Sequence, residues 1–322
     1  MPLTFHPGVK PNDPTKPRLK LAFRLVDKTI PPNPAVVNYI DKVPSWPMYL
    51  NDREGDCTIA EQGHAIQIFT TYGAGHEIRV TDSDVQKVYS AISGYDPKTG
   101  ANDDGCVIQD TLNYWRKNGL GGHKILAFAE VDVNDRDQVN AALNIFGSLD
   151  IGFDFPASAM DQFNNGEIWD VVPGGSPIEG GHAVAVAAYK APNGNFRVIT
   201  WGAVQEMTQA FWDRYVTEAW IVISNEWLDA TGHSPGGIDL YGLGEDFSAL
   251  TGNPNPFPAP IPAPPVPNPT PNPVPTPNPP LLDPADEVLS SIAKEWTSHR
   301  RTSAENKVLK SALLSWLKEK GL

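Results

Sequence analysis

Cysteine is nearly missing from this chain: Cys57 and Cys106 are the only two in 322 residues. Two thiols cannot build a multi-bridge disulfide framework, so they read as one bridge or as two free thiols. Basic charge is also short, with 25 Lys and Arg against 38 Asp and Glu, a net charge of −13. That argues against a nucleic-acid binder, which would carry a basic patch. No stretch reaches the ~18 apolar residues expected of a membrane span. The opening MPLTFHPGVKPNDPTKPRLKLAFRLVD has no signal-type apolar run and no small-residue cleavage site, so export by an N-terminal secretory signal is not expected. A glycine-rich phosphate loop, an HExxH pair and a CxxC pair are all lacking. Metal and nucleotide chemistry therefore find no support, and no cofactor is expected. The run Asn102-Asp103-Asp104-Gly105 shares letters with a calcium loop. It lacks the alternating ligands and the terminal Glu, so it reads as a turn.

Proline, by contrast, is abundant. Of 32 prolines, 15 fall in the uncharged stretch Asn253 to Pro280. Such a segment cannot form a core and reads as a polyproline-II spacer, whose 28 residues span ~85 Å at ~3.1 Å per residue. The chain accordingly divides into four parts: an extended N-terminal arm at 1–45, a body at 46–250, a proline-rich linker at 251–282 and a helical hairpin at 283–322. In the last part Val288, Leu289, Ile292 and Trp296 fall at helical spacing, as do Val308, Leu309, Leu313, Leu314 and Leu317. At about 40 residues the hairpin is near the lower limit for folding alone. It and the arm are expected to dock on another protein or on copies of this chain, the arm wrapping a body or a neighbour.

Apolar residues make up 40% of the chain, with nine Trp and twelve Phe, enough for a real core. In the body, helices are expected over Cys57–Tyr72, Ser83–Ser93, Val107–Lys117, from an Asn134 cap through Phe146, and in MTQAFWDRYV. KILAFAEVDV, LDIGFDF, HAVAVAAYK, FRVITWG and AWIVIS read as strands. Helices crowd the first half and strands the second, which is an α+β arrangement of a helical lobe against a mostly antiparallel sheet.

Cys57 opens the first of these helices. Backbone amides at a helix N-terminus and a nearby imidazolium both stabilise a thiolate, so Cys57 is the candidate nucleophile. The candidate base is His182 in EGGHAVAVAAYK, where two glycines let another chain segment approach closely. His64 lies two turns along the helix from Cys57, about 10 Å away along the axis, too far to act as its base, and reads as core or groove lining. Asp56 and Glu54 beside Cys57 would raise its pKa if charged. Trp115, Trp201, Trp212 and Trp220 read as core.

GDCTIA, then GGHAVAVAAY about 125 residues later, then a strand ending ITWG, resembles the papain-like cysteine peptidase superfamily over about 55 to 225. In that family a Cys opens the central helix, a Gly-His-Ala-Val strand follows, and a later strand ends Asn-Ser-Trp-Gly. The resemblance implies a papain-like α+β fold with Cys57 as nucleophile, His182 as general base, and Asn51, six residues before the Cys, as an oxyanion-hole donor with the Cys57 N–H. Two positions depart from the pattern. Ile199 falls where the orienting Asn is expected, and Thr200 takes the Ser position, from which a one-residue shift would let its hydroxyl orient His182. Trp201 would shield the His182 pair from water. The wording WPMYLNDREGDCTIA also resembles papain-like proteins of bacteriophages and soil bacteria, which would place the chain in a phage virion or a host cytoplasm. The implied activity is thiol hydrolysis of a protein or a cell-wall peptide; the alternative is a catalytically silent binding or structural module such as a virion component. A secreted peptidase with a removable pro-segment is disfavoured, because the arm is short for an inhibitory pro-region.

Overall fold

In the computed structural model, the described residues are 2–16, 18, 20, 33–190, 194–228, 232–235 and 241. The linker expected at 251–282 and the hairpin expected at 283–322 lie outside them. Among the described residues six helices form: α1 Cys57–Tyr72, α2 Asp82–Ser93, α3 Ile108–Lys117, α4 Arg136–Phe146, α5 Ala157–Asn165 and α6 Gln209–Tyr215. Seven strands accompany them: β1 Val36–Asn38, β2 Ala127–Val131, β3 Leu149–Pro156, β4 Ile178–Lys190, β5 Asn195–Thr200, β6 Ala203–Met207 and β7 Val216–Ile223. The strands join in one sheet in the order β2-β7-β3-β4-β5-β6, with β1 added along β4, and every pairing is antiparallel. This is the expected α+β architecture.

α1 is buried from Cys57 through Thr70. A helix buried all round belongs inside a core rather than on its surface, and α1 packs against β4, the long strand at the middle of the sheet. β4 itself is buried from His182 through Tyr189, as a strand covered on both faces must be. The candidate residues Cys57 and His182 thus stand on enclosed elements. Around them Phe153, Phe155, Trp169 and Phe211 form edge and stacked ring contacts at centroid separations of 5.5–6.1 Å, each worth ~0.5–1.5 kcal/mol beyond its buried area. Trp115, Trp212 and Trp220 are core as expected.

Several local details differ from the sequence reading. The helix expected from Asn134 is capped one residue later: the Asp135 carboxylate accepts from the Gln138 N–H at 3.0 Å, while the Asn134 amide turns back to Asp132. β1, β6 and α5 were not foreseen. Their short or polar sequences, VVN, AVQEM and ASAMDQFNN, carry weak periodicity and are held by neighbours instead.

Candidate active site

α1 begins at Cys57 without a side-chain cap. Asp56, the residue before it, is fully buried, and burial raises its carboxyl well above the usual range. Burial is the largest cause of the raised Cys57 thiol, with the nearby Glu61 and Asp56 carboxyls adding to it. Asn51 supports this neighbour: its amide donates to Asp56 Oδ1 at 3.0 Å and to the Glu54 carbonyl at 3.3 Å. An amide nitrogen has two donors, and both are committed here. In this state Asn51 braces the loop before Cys57 and is not turned to the cleft as an oxyanion donor.

The same loop has a brace that sequence reasoning missed. Asp103 Oδ1 accepts from the Gly55 N–H at 2.8 Å and from the Tyr89 hydroxyl at 2.6 Å. The Asn102-Gly105 turn thus ties α2 to the approach to Cys57. Asp103 stands in the run that shares letters with a calcium loop, and its partners, 14 and 48 residues away, leave no local signal in the sequence.

His182 sits at the start of the buried part of β4. Its Nε2 is 2.9 Å from Thr200 Oγ1, at the end of β5. Its Nδ1 is buried with no hydrogen-bond partner. Trp201 stacks flat on the imidazole, with centroids 4.5 Å apart and planes 15° from parallel. Trp201 holds φ at +46°, a left-handed conformation that is costly for a bulky residue. Following Trp201, Gly202 has φ +70°. In the β4–β5 register Ile199 is opposite Ala185, so alternation puts Thr200, not Ile199, on the His182 face; Ile199 is in the core, 1% exposed. Cys57 faces the next residue of the same strand: the Ala183 N–H points at its sulfur and offsets part of the rise in its pKa.

The thiolate–imidazolium pair expected from the sequence is not the state seen here. Burial pushes the Cys57 thiol well above its usual range, and burial lowers His182 to about 3. Both groups are neutral at pH 7. Cys57 and Cys106 are both free, buried thiols, so the bridge is not formed, and burial raises Cys106 to about 12. His64 stands apart, its Nε2 2.9 Å from the Pro47 carbonyl and its pKa lowered by burial to about 4, as befits a core residue.

The cause of that burial is the N-terminal arm. Leu3 exchanges two hydrogen bonds with the Asn164 side chain at the end of α5. Phe5 stacks on Phe155, centroids 4.0 Å apart, and presents an edge to His182 at 5.7 Å. Gly8 lies on Cys57: a β-carbon added to Gly8 would fall 2.4 Å from the sulfur and 2.7 Å from the Gly55 carbonyl. The Gly8 and Val9 N–H groups both donate to the Gly181 carbonyl, the Cys106 N–H donates to the Gly8 carbonyl, and the Lys10 N–H donates to the Cys106 carbonyl. The last two make a parallel bridge between Val9 and Cys106. Gly180 and Gly181 admit this strand closely, since β-carbons there would meet Pro7 at 2.7 Å and Val9 at 2.7 Å. The two glycines before His182 do let a chain segment approach, and the segment is the protein's own. Residues 5–10 of the arm lie along the chain's own body and pass over Cys57.

No protein-family model matches the chain, and no characterised protein matches it in sequence. Solved structures do match. Xylellain, a cysteine protease from Xylella fastidiosa, superposes with a TM-score of 0.50 at 15% identity, covering 70% of this chain and 98% of that one. Procathepsin L2 proteinase of the Tenebrio molitor larval midgut gives 0.49 at 14% identity, covering 68% and 78%, and procathepsin B of Trypanosoma congolense 0.47 at 12%, covering 68% and 87%. At such identities likeness speaks for fold alone, and the fold of this chain is that of the papain-like cysteine proteases.

Proposed function

We propose that the protein is a papain-like thiol hydrolase of peptide amides, held closed by its own N-terminal arm. One observation carries this reading. The cleft between Cys57 and Gly181 already binds an extended peptide through main-chain hydrogen bonds, with a backbone atom of that peptide against the sulfur. In the open state Cys57 Sγ attacks the carbonyl of a substrate lying in the same groove. His182 Nδ1, the nitrogen not held by Thr200, takes the thiol proton and then gives it to the leaving amine. The first N–H groups of α1, which have no partner within the helix, face the developing oxyanion. Thr200 fixes the ring from Nε2. The arm is held without being cut because its Gly8 carbonyl is turned to the Cys106 N–H and is not presented to α1.

The substrate is a protein or a cell-wall peptide. The linker at 251–282 and the hairpin at 283–322 would tether the catalytic head to a partner protein or to another copy. A silent binding role is the second reading, favoured by Thr200 in place of an orienting amide and by the neutral state of both groups. The test is labelling of Cys57 by an epoxysuccinyl peptide, together with hydrolysis of fluorogenic peptide amides and purified peptidoglycan. It uses full-length protein whose arm has been displaced by Gly8→Val, with Cys57→Ala as control. Labelling and turnover lost in the control support the hydrolase; no labelling with the arm displaced leaves the silent role.

A further inference from the structure

One cavity adjoins the arm's path and lies outside the Cys57–His182 pair and its braces. It has a volume of about 450 Å³, with Val9, Asn12 and Arg18 of the arm on one side and Asp154, Gly181 and Glu218 of the body on the other. Val9 follows Gly8, so the cavity begins one residue from the thiol. Its body side carries two carboxylates, Asp154 and Glu218, and no Lys or Arg. The arm answers these acids. Asn12 Nδ2 donates to Glu218 Oε2 at 2.7 Å. Just beyond, Arg18 pairs with Glu130 at 2.8 Å and Lys16 with Asp110 at 2.6 Å. Glu218 is 7% exposed, and its other fixed donor is the Trp220 indole at 2.7 Å.

Taking the hydrolase reading as its basis, we infer that this cavity takes a basic side chain of the substrate, Arg or Lys, within two residues of the bond cut, with Glu218 as its specificity-determining partner. The arm's hydrogen bond to Glu218 comes from a neutral amide, while Arg18, which also lines the cavity, makes its direct ion pair with Glu130 and acts on Glu218 only at longer range. A guanidinium or ammonium makes a charge-assisted hydrogen bond there, roughly twice as strong as a neutral one, and a guanidinium can also bridge both carboxylate oxygens. The cavity is open on one side, so the aliphatic stem lies along Phe153 while the charged head keeps part of its hydration. A basic peptide therefore competes with the arm where a neutral or acidic one does not.

The test uses full-length Gly8→Val protein and fluorogenic peptide amides identical but for Arg, Gln or Glu at the residue whose side chain reaches the cavity. Arg is expected over Glu by roughly tenfold or more in kcat/KM, and the ratio is expected to collapse towards one in Glu218→Gln. Equal kcat/KM for the Arg and Glu peptides overturns the inference. If no peptide is cut at all, the hydrolase reading fails separately. The charge preference is then read without turnover, from iodoacetamide labelling of Cys57 in the Cys106→Ala chain. An added Arg peptide should displace the arm and speed labelling more than its Glu counterpart, and Asn12→Arg should slow labelling by tightening the arm. Identical labelling with both peptides overturns the inference whether or not Glu218→Gln folds.

Discussion

Gly8 and Cys57 are in contact so close that no other residue fits between them: a β-carbon on Gly8 would stand 2.4 Å from the Cys57 sulfur. A real Cβ does not approach that far, and the Gly55 carbonyl blocks the other side. Gly8→Val should therefore lift the arm off the thiol. In a Cys106→Ala background, alkylation of Cys57 at pH 8 is expected to rise by about tenfold or more, because exposure and a lowered pKa both raise the thiolate fraction. An unchanged rate would mean that the arm does not control access.

Thr200 is the group that holds His182. Thr200→Val keeps the shape and removes the hydroxyl 2.9 Å from Nε2. If the protein is the proposed hydrolase, Thr200→Val in the Gly8→Val background is expected to lower kcat by roughly 10- to 100-fold with little change in KM, while Thr200→Ser retains most activity. A fall in KM-dependent terms alone would place Thr200 in binding instead.

Asp150 makes the fold sensitive to alkali. It is fully buried, neither carboxyl oxygen has a hydrogen-bond partner, and burial raises its pKa to about 7. The stability that its neutral form contributes is fully present below its ordinary value of 3.8 and is lost as pH rises through 7. Asp150→Asn cannot ionise. It should raise the unfolding free energy at pH 8 by roughly 1–3 kcal/mol, less than the full linkage because the amide is still unpartnered. It should make little difference at pH 4. Denaturant melts at the two pH values decide it, and an equal effect at both would refute the assignment.

His182 sets the acid limit of the closed state. Its folded pKa of about 3 lies below the ordinary 6.5, so the buried neutral ring loses stability as pH falls below 6.5, by up to ~1.4 kcal/mol per pH unit. The imidazolium cannot remain between Phe5 and Trp201 without water. Amide hydrogen exchange at Gly8 and Val9, corrected for intrinsic pH dependence, should lose protection between pH 6 and 4 ahead of α1. In His182→Gln that pH dependence should disappear.

Much of this was legible in the residues. α1 was readable from Cys57 to Tyr72, and β4 from the continuous apolar HAVAVAAY. The packing of the helix opened by Cys57 on the strand that carries His182 agrees with the order of the motifs. What could not be read is tertiary. Thr200 meets His182 through the register between β4 and β5, which neither strand's own sequence carries. Asn51 is turned away by the need of buried Asp56 for a donor. The arm, rich in proline and poor in periodicity, meets Gly181 and Cys106 through backbone groups, which carry no side-chain pattern.

The strand that fills the cleft is part of the same chain as the cleft. Its departure is an intramolecular event, so diluting the protein does not open it, and the closed fraction is independent of concentration. A free peptide must compete with the millimolar-scale effective concentration of a short tethered ligand. Weak or scarce substrates are then ignored. On the proposed hydrolase reading, the cleft would open only where suitable peptide is dense, or where something else takes hold of the arm.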